Sequence, residues 1–135
     1  MIFVDTGPLV ARYLKNDQLH GVAVAIWHEL ERGRESFALS SLVLAETLNL
    51  LSQRADPGFA ARKGRKLIGS NSFRLFRPNL EEEANALWMM EKFSDQEVGF
   101  TDCVSFALMK THRIRRVFTF DRHFDIPGFE RFPLS

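Results

Sequence analysis

Short, wholly apolar runs alternate along this chain with longer stretches in which apolar residues recur every three or four positions. Ile2-Phe3-Val4 is the first such run and stops at Asp5. Thr6-Gly7-Pro8 reads as a turn with Pro8 opening a helix that continues through Leu9, Val10, Tyr13 and Leu14. Val22, Ala25, Ile26, Trp27 and Leu30 predict a second helix over 20–33, ended by Gly33. Ser36-Phe37-Ala38-Leu39 is a strand candidate, and Ser40 or Ser41 caps the helix carrying Leu42, Ala45, Glu46, Asn49 and Gln53. Asp56-Pro57-Gly58 breaks the chain before a helix over 59–69, and Phe73-Arg74-Leu75-Phe76 predicts another strand. From Leu80 to Phe93 the helical period is strong, with acids in the first turn and Ala84, Leu87, Trp88 and Phe93 as the expected apolar face. Thr101 is the expected cap of a helix over 102–112. Residues 116–120 then predict a strand that runs into Asp121, with a last short strand near 129–132.

Alternation of strands with helices predicts an α/β sandwich built on a mainly parallel sheet, with right-handed crossovers placing helices on both faces. The 135 residues suit one domain spanning 1–135, long enough to bury a core without disulfides. At 45% apolar and 26% charged residues the composition is that of an ordinary globular protein. Cys103 is the single cysteine, which leaves no partner for an internal disulfide and fits a reducing, cytoplasmic setting. No basic segment precedes Ile2-Phe3-Val4, so no secretory signal is expected, and no apolar run approaches the ~20 residues of a membrane helix. The net charge of +1 decides little by itself, yet it leaves the rest of the surface basic if several acids gather at one place.

Two strand candidates end in aspartate, at Asp5 and Asp121. If both strands are parallel, both carboxylates emerge at the edge where open α/β sheets bind ligands. Asp is common in turns, so this pair alone is weak evidence. Glu46 adds a different kind of signal. It is flanked on a helix by Leu42, Val43 and Leu50, and a lone carboxylate on such an apolar face needs either a cation or a buried Arg or Lys partner. Asp102 opens a helix whose inner face carries Phe106 and Met109, and it reads equally as a metal ligand or as a first-turn acid. Four converging carboxylates would repel by roughly 4 kcal/mol per pair at ~4 Å and an effective dielectric of 20. Hard oxygen ligands select Mg²⁺ or Mn²⁺ over zinc, and a cation so held suits phosphodiester hydrolysis by polarising the phosphate and activating water.

At these residues the sequence resembles the PIN-domain nucleases, in particular the VapC toxins of prokaryotic toxin–antitoxin pairs. The resemblance is carried by Ile2-Phe3-Val4-Asp5-Thr6, Leu44-Ala45-Glu46-Thr47, the stretch from Gly99 through Thr101-Asp102-Cys103 to Phe106, and the stretch from Val117 through Asp121-Arg122-His123 to Phe124. These pieces occur in family order from the first residues to the last strand. The resemblance implies a Rossmann-like, PIN-type three-layer sandwich, Mg²⁺- or Mn²⁺-dependent cleavage of RNA, a homodimer, and inhibition by a cognate VapB-like antitoxin. It also implies that Asp5, Glu46, Asp102 and Asp121 are the catalytic and metal-binding quartet, with Asp5 and Asp102 as direct ligands.

Other residues are weighed against plainer roles. Asp125 is expected to be a surface or capping residue and Asp95 part of a loop. Thr6 and Thr119 are candidates to hydrogen-bond a ligand carboxylate or phosphate, or to serve turn and strand. His123 is expected to be a hydrogen-bonded structural histidine, and Cys103 a small core side chain. Arg62, Lys63, Arg65 and Lys66 form a basic run, read as a solvated helix face with phosphate or antitoxin contact as the alternative. Trp27, Trp88 and the phenylalanines are assigned to core or dimer contacts. A housekeeping RNA-processing nuclease keeps the same chemistry. A phospho-receiver module would need adjacent acids after the first strand, where Thr6 stands, and an aspartate-nucleophile phosphatase would need a second acid at Gly7.

Overall fold

The computed structural model describes residues 1–133. Five strands, β1 (Ile2–Val4), β2 (Phe37–Ser40), β3 (Phe73–Phe76), β4 (Arg116–Phe118) and β5 (Glu130–Phe132), form one sheet in the order β3-β2-β1-β4-β5. Every pairing is parallel, with Ile2 opposite both Phe37 and Arg116. The two innermost positions explain the unbroken apolar runs. All residues of β1 and β2 are buried, because helices cover both faces of a parallel sheet and no solvent side remains.

Six α-helices supply that cover: α1 (Thr6–Tyr13), α2 (His20–Arg32), α3 (Ser41–Arg54), α4 (Pro57–Gly69), α5 (Leu80–Lys92) and α6 (Phe100–Thr111). Their starts follow local chemistry. The Ser40 hydroxyl accepts from the Val43 N–H at 3.0 Å, and Asp56 accepts from the Phe59 N–H at 2.8 Å with Pro57 leading α4. Asn79 and Glu82 close a reciprocal capping box on α5. Gly33 ends α2, as expected, but the left-handed residue there is Arg34 (φ 57).

Trp27 is the centre of the core. It is 1% exposed, its ring centroid lies 5.1 Å from Phe37 and 5.0 Å from Phe118, and its Nε1–H donates to the Pro8 carbonyl at 3.1 Å. A truncation that leaves such a volume empty costs about 3–5 kcal/mol. Phe106 of α6 meets Phe124 edge-on at 5.0 Å, tying the last helix to the segment after β4.

Three sequence expectations are corrected. α5 buries Glu82, Ala86 and Met89, whereas Ala84, Leu87 and Trp88 face outward, the latter two 54% and 58% exposed. Both stripes have helical spacing, and the inward one carries Glu82, whose Oε1 accepts from the Asn79 N–H at 3.0 Å in the capping box. β4 ends at Phe118 rather than Phe120. α6 begins at Phe100 after Gly99, so Thr101 lies within the first turn and is not the cap.

Candidate active site

From β1 the chain moves outward through β2 and β3, then returns to the other side of β1 for β4 and β5. The switch in direction therefore lies between β1 and β4, and at its carboxyl end a crevice opens. Asp5 follows β1 directly, its N–H held by the Phe118 carbonyl at 3.0 Å, and it starts α1 without capping it. Asp121 comes three residues after β4, where its carboxylate accepts from the His123 N–H at 2.9 Å and opens the short helical turn Arg122–Asp125. Asp102 enters the same crevice from the first turn of α6.

Thr119 binds the two strand ends together. Its hydroxyl donates to Asp5 Oδ2 at 2.8 Å and accepts from the Asp121 N–H at 3.0 Å. The Thr119 backbone N–H still donates to the Phe132 carbonyl of β5 at 3.0 Å, which fixes the position of its side chain. The Thr6 hydroxyl is buried with no partner among the described residues. His123 Nδ1 lies 2.9 and 3.2 Å from the two Asp121 oxygens. One ligand atom from each of Asp102, Asp121 and His123 falls within 4.8 Å of the others.

The electrostatics show a site with too much negative charge. Burial pushes the Asp5 carboxyl up to about 6, against the lowering effect of its hydrogen bonds from Thr119 and Thr6, with Asp121 and Glu46 raising it further. Asp102 is pushed up to about 7, by burial first, then by Asp5 and Asp121; His123 opposes the rise and Glu46 adds to it. Asp5 and Asp102 are thus both raised by acidic neighbours as well as by burial.

Glu46 reaches the group differently from the sequence reading. α3 faces the core with Val43, Leu44, Thr47 and Leu51, and Glu46 is exposed. The supposed burial on an apolar face is incorrect. A side chain one position before Thr47 is rotated about 100° away from it, which takes Glu46 out of the core. It is near enough to raise the Asp5 and Asp102 carboxyls but is not among the clustered ligand atoms of Asp102, Asp121 and His123.

A PIN-domain family model matches residues 2–130. The chain belongs to the PIN-domain family. This PIN domain is 30% identical over 129 residues to the 23S rRNA-specific endonuclease VapC20 of Mycobacterium tuberculosis, covering 96% of the chain and 95% of that protein. The crystal structure of VapC20, described as a toxin that cleaves the sarcin–ricin loop, superimposes with a TM-score of 0.87 at 28% identity over 96% of both chains. A toxin–antitoxin complex from Klebsiella pneumoniae matches at a TM-score of 0.63 and 12% identity, covering 95% of this chain and 92% of that one, and shares the fold.

The donor set of this PIN domain fits a hard divalent cation. Carboxylate oxygens dominate, one imidazole nitrogen adjoins them, and the raised carboxyls of Asp5 and Asp102 are groups that an added positive charge would return to the ionised form. Side chains outside the cluster have plainer roles. Asp125 pairs with Arg131 at 3.0 Å, Asp95 lies exposed in the turn Ser94–Gln96, and Cys103 is buried with its thiol pushed up to about 11 by burial and by Asp102. A thiol so placed stays protonated and unreactive. His123 was expected to be a structural histidine held by hydrogen bonds. It is so held, but by Asp121, which gives it a place in the site; its position two residues after a candidate acid was the available signal.

Proposed function

We propose that this PIN domain is a metal-dependent endoribonuclease and the toxin of a type II toxin–antitoxin pair, acting as a homodimer on RNA. The observation that carries the reading is the convergence at the switch point of Asp5, tied through Thr119 to the Asp121 backbone, with Asp102, Asp121 and His123, each of which offers a ligand atom within 4.8 Å of the others. Asp5 and Asp102 are assigned as direct ligands of Mg²⁺ or Mn²⁺, with Glu46 and Asp121 completing the set directly or through water. Such a cation, when bound, supplies a Lewis acid for the phosphate and lowers the pKa of water.

The side chains divide the remaining work. Thr119 fixes Asp5 and the backbone of Asp121 in one arrangement, so the acids need no reorganisation on binding. His123 holds the Asp121 carboxylate. Glu46, the exposed member, is the group free to take a proton from an attacking water. An antitoxin would act by covering this edge with a group that competes for the acids. The homodimer reading rests on the exposed apolar face of α5, where Leu80, Leu87 and Trp88 stand in solvent.

The test is cleavage of purified RNA with Mg²⁺ or Mn²⁺ added back after chelation. Identity to VapC20 makes large-subunit ribosomal RNA the first substrate to try. Asp102→Asn is expected to lower the rate by at least a hundredfold while leaving the circular dichroism spectrum unchanged. Cleavage in EDTA, or an unaffected Asp102→Asn, refutes the assignment.

A further inference from the structure

A large cavity lies away from the acidic crevice. It measures about 810 Å³ and lies at the other edge of the sheet, where Phe37 opens β2 and Phe73 opens β3. α1 joins the two places: it starts beside Asp5, and Tyr13, its last residue, lines the cavity about 12 Å further along the helix axis. α2 contributes His20 and Glu31 from its two ends, and α4 contributes residues from Phe59 in its first turn to Lys66 and Leu67 near its last.

Positive charge is in excess here. Of the two acids in the lining, Glu31 pairs with Arg12, itself a lining residue, at 3.5 Å, and Glu35 is held by Arg116 from outside the cavity through two bonds of 2.7 and 2.9 Å. Lys15, Arg34, Lys63 and Lys66 also line the cavity, and among the described residues none of them forms a salt bridge. Lys63 is the informative one. Its ammonium sits 5.2 Å from the Tyr13 ring and 5.2 Å from the Phe59 ring, half-buried between two aromatic faces. Its pKa is held below the usual lysine value by burial, and then by Lys66, Arg62 and Arg12. Tyr13, Phe59 and Phe73 are each only partly buried, so aromatic surface remains available beside the cations.

Clustered cations that repel one another beside partly exposed aromatic rings match one ligand chemistry well, a phosphate attached to a planar base. We propose that this cavity is a second, non-catalytic binding site for nucleotide units, with Lys63 and Lys66 taking the phosphate and Tyr13 and Phe59 the base. The basic run of α4 then has a use beyond solvation: Lys63 and Lys66, one turn apart, face the same cavity, while Arg62 and Arg65 point elsewhere on the exposed helix surface. Because the site is on the far edge of the sheet, a strand bound there is held apart from the crevice that would cut it. Such a site anchors a long RNA, or takes a free nucleotide, by the same contacts.

The two edges have opposite charge, and this makes the test selective. Without divalent cation the acidic crevice repels RNA, so binding in EDTA reports the basic cavity. The full-length protein is titrated in EDTA against a short fluorescein-labelled uridine oligoribonucleotide by anisotropy, and against AMP and ADP by calorimetry. Wild type is expected to bind the oligonucleotide, and Lys63→Ala/Lys66→Ala to weaken it at least tenfold. The double variant should also flatten the dependence of log K on log salt by roughly 1.4, the share of two phosphate contacts to a single strand. Lys63→Arg/Lys66→Arg should restore binding, which separates charge from fold. Oligonucleotide binding that mononucleotides fail to compete assigns the site to RNA strands, and equal affinity for AMP or ADP assigns it to free nucleotides. No binding of either in EDTA, or an affinity within twofold of wild type in a folded Ala double variant, overturns the proposal. Neither result touches the nuclease reading, which is measured with metal present.

Discussion

Asp5→Asn should make the metal-free protein more stable while abolishing its activity. Asp5 is 8% exposed and its carboxyl is raised from 3.8 to about 6. The folded state therefore binds this proton more tightly than the unfolded chain does. Stability linked to Asp5 is fully present below pH ~4 and is lost as pH rises through about 6. A rise of ~2 units corresponds to about 3 kcal/mol at pH 8, of which relaxation around the charge should leave roughly 1.5–3. Asparagine carries no proton to lose and has nearly the same shape, and its Oδ1 still accepts from the Thr119 hydroxyl. For a chain of this size the gain amounts to roughly 5–10 °C in Tm. The assay is thermal unfolding of both proteins in EDTA from pH 4 to pH 8.5, reading the difference between them, since Asp17, Glu35 and Asp125 have lowered values and impose the opposite trend on each curve alone. The difference should be near zero at pH 4 and grow through pH 6. Added Mn²⁺ should then stabilise wild type and leave the variant unmoved. A variant less stable than wild type at pH 8 in EDTA, or a difference independent of pH, refutes the idea that Asp5 is an uncompensated buried acid.

Thr119→Val removes the hydroxyl that joins Asp5 to the Asp121 backbone and leaves a part-buried N–H without its acceptor. About 1–3 kcal/mol of stability should go, with a 10–100-fold fall in metal affinity measured by calorimetry. An unchanged affinity would sink the positioning role. Trp88→Glu, placed on the outward face of α5, should convert a dimer to a monomer in light scattering at micromolar concentration with little change in the monomer's fold. Wild type that is already monomeric there rules out the homodimer.

The sequence by itself determined the layers and the acids. Apolar runs too short for helices, separated by amphipathic stretches, leave a parallel sheet covered on both faces as the economical way to bury every residue of β1 and β2. Capping chemistry is local, so Ser40, Asp56-Pro57 and Asn79 with Glu82 could be read or nearly read from adjacent residues. Asp5, Asp102 and Asp121 stood out because each breaks an apolar pattern at an element's end.

Only the tertiary structure decided which faces point inward and which atoms meet. Helical spacing offered two apolar stripes on α5 and a plausible inner place for Glu46 on α3. Choosing between faces is an energy summed over neighbours distant in the chain, and no local period contains it. The bond from Thr119 to Asp5 spans 114 residues, so its existence depends on strand order rather than on any motif. The basic cavity likewise draws on the end of α1, both ends of α2 and the length of α4, whose charges appear in the sequence as unrelated and scattered. Sequence sets what each segment wants to bury; the packed sheet sets what is left over at its two edges, negative at one and positive at the other.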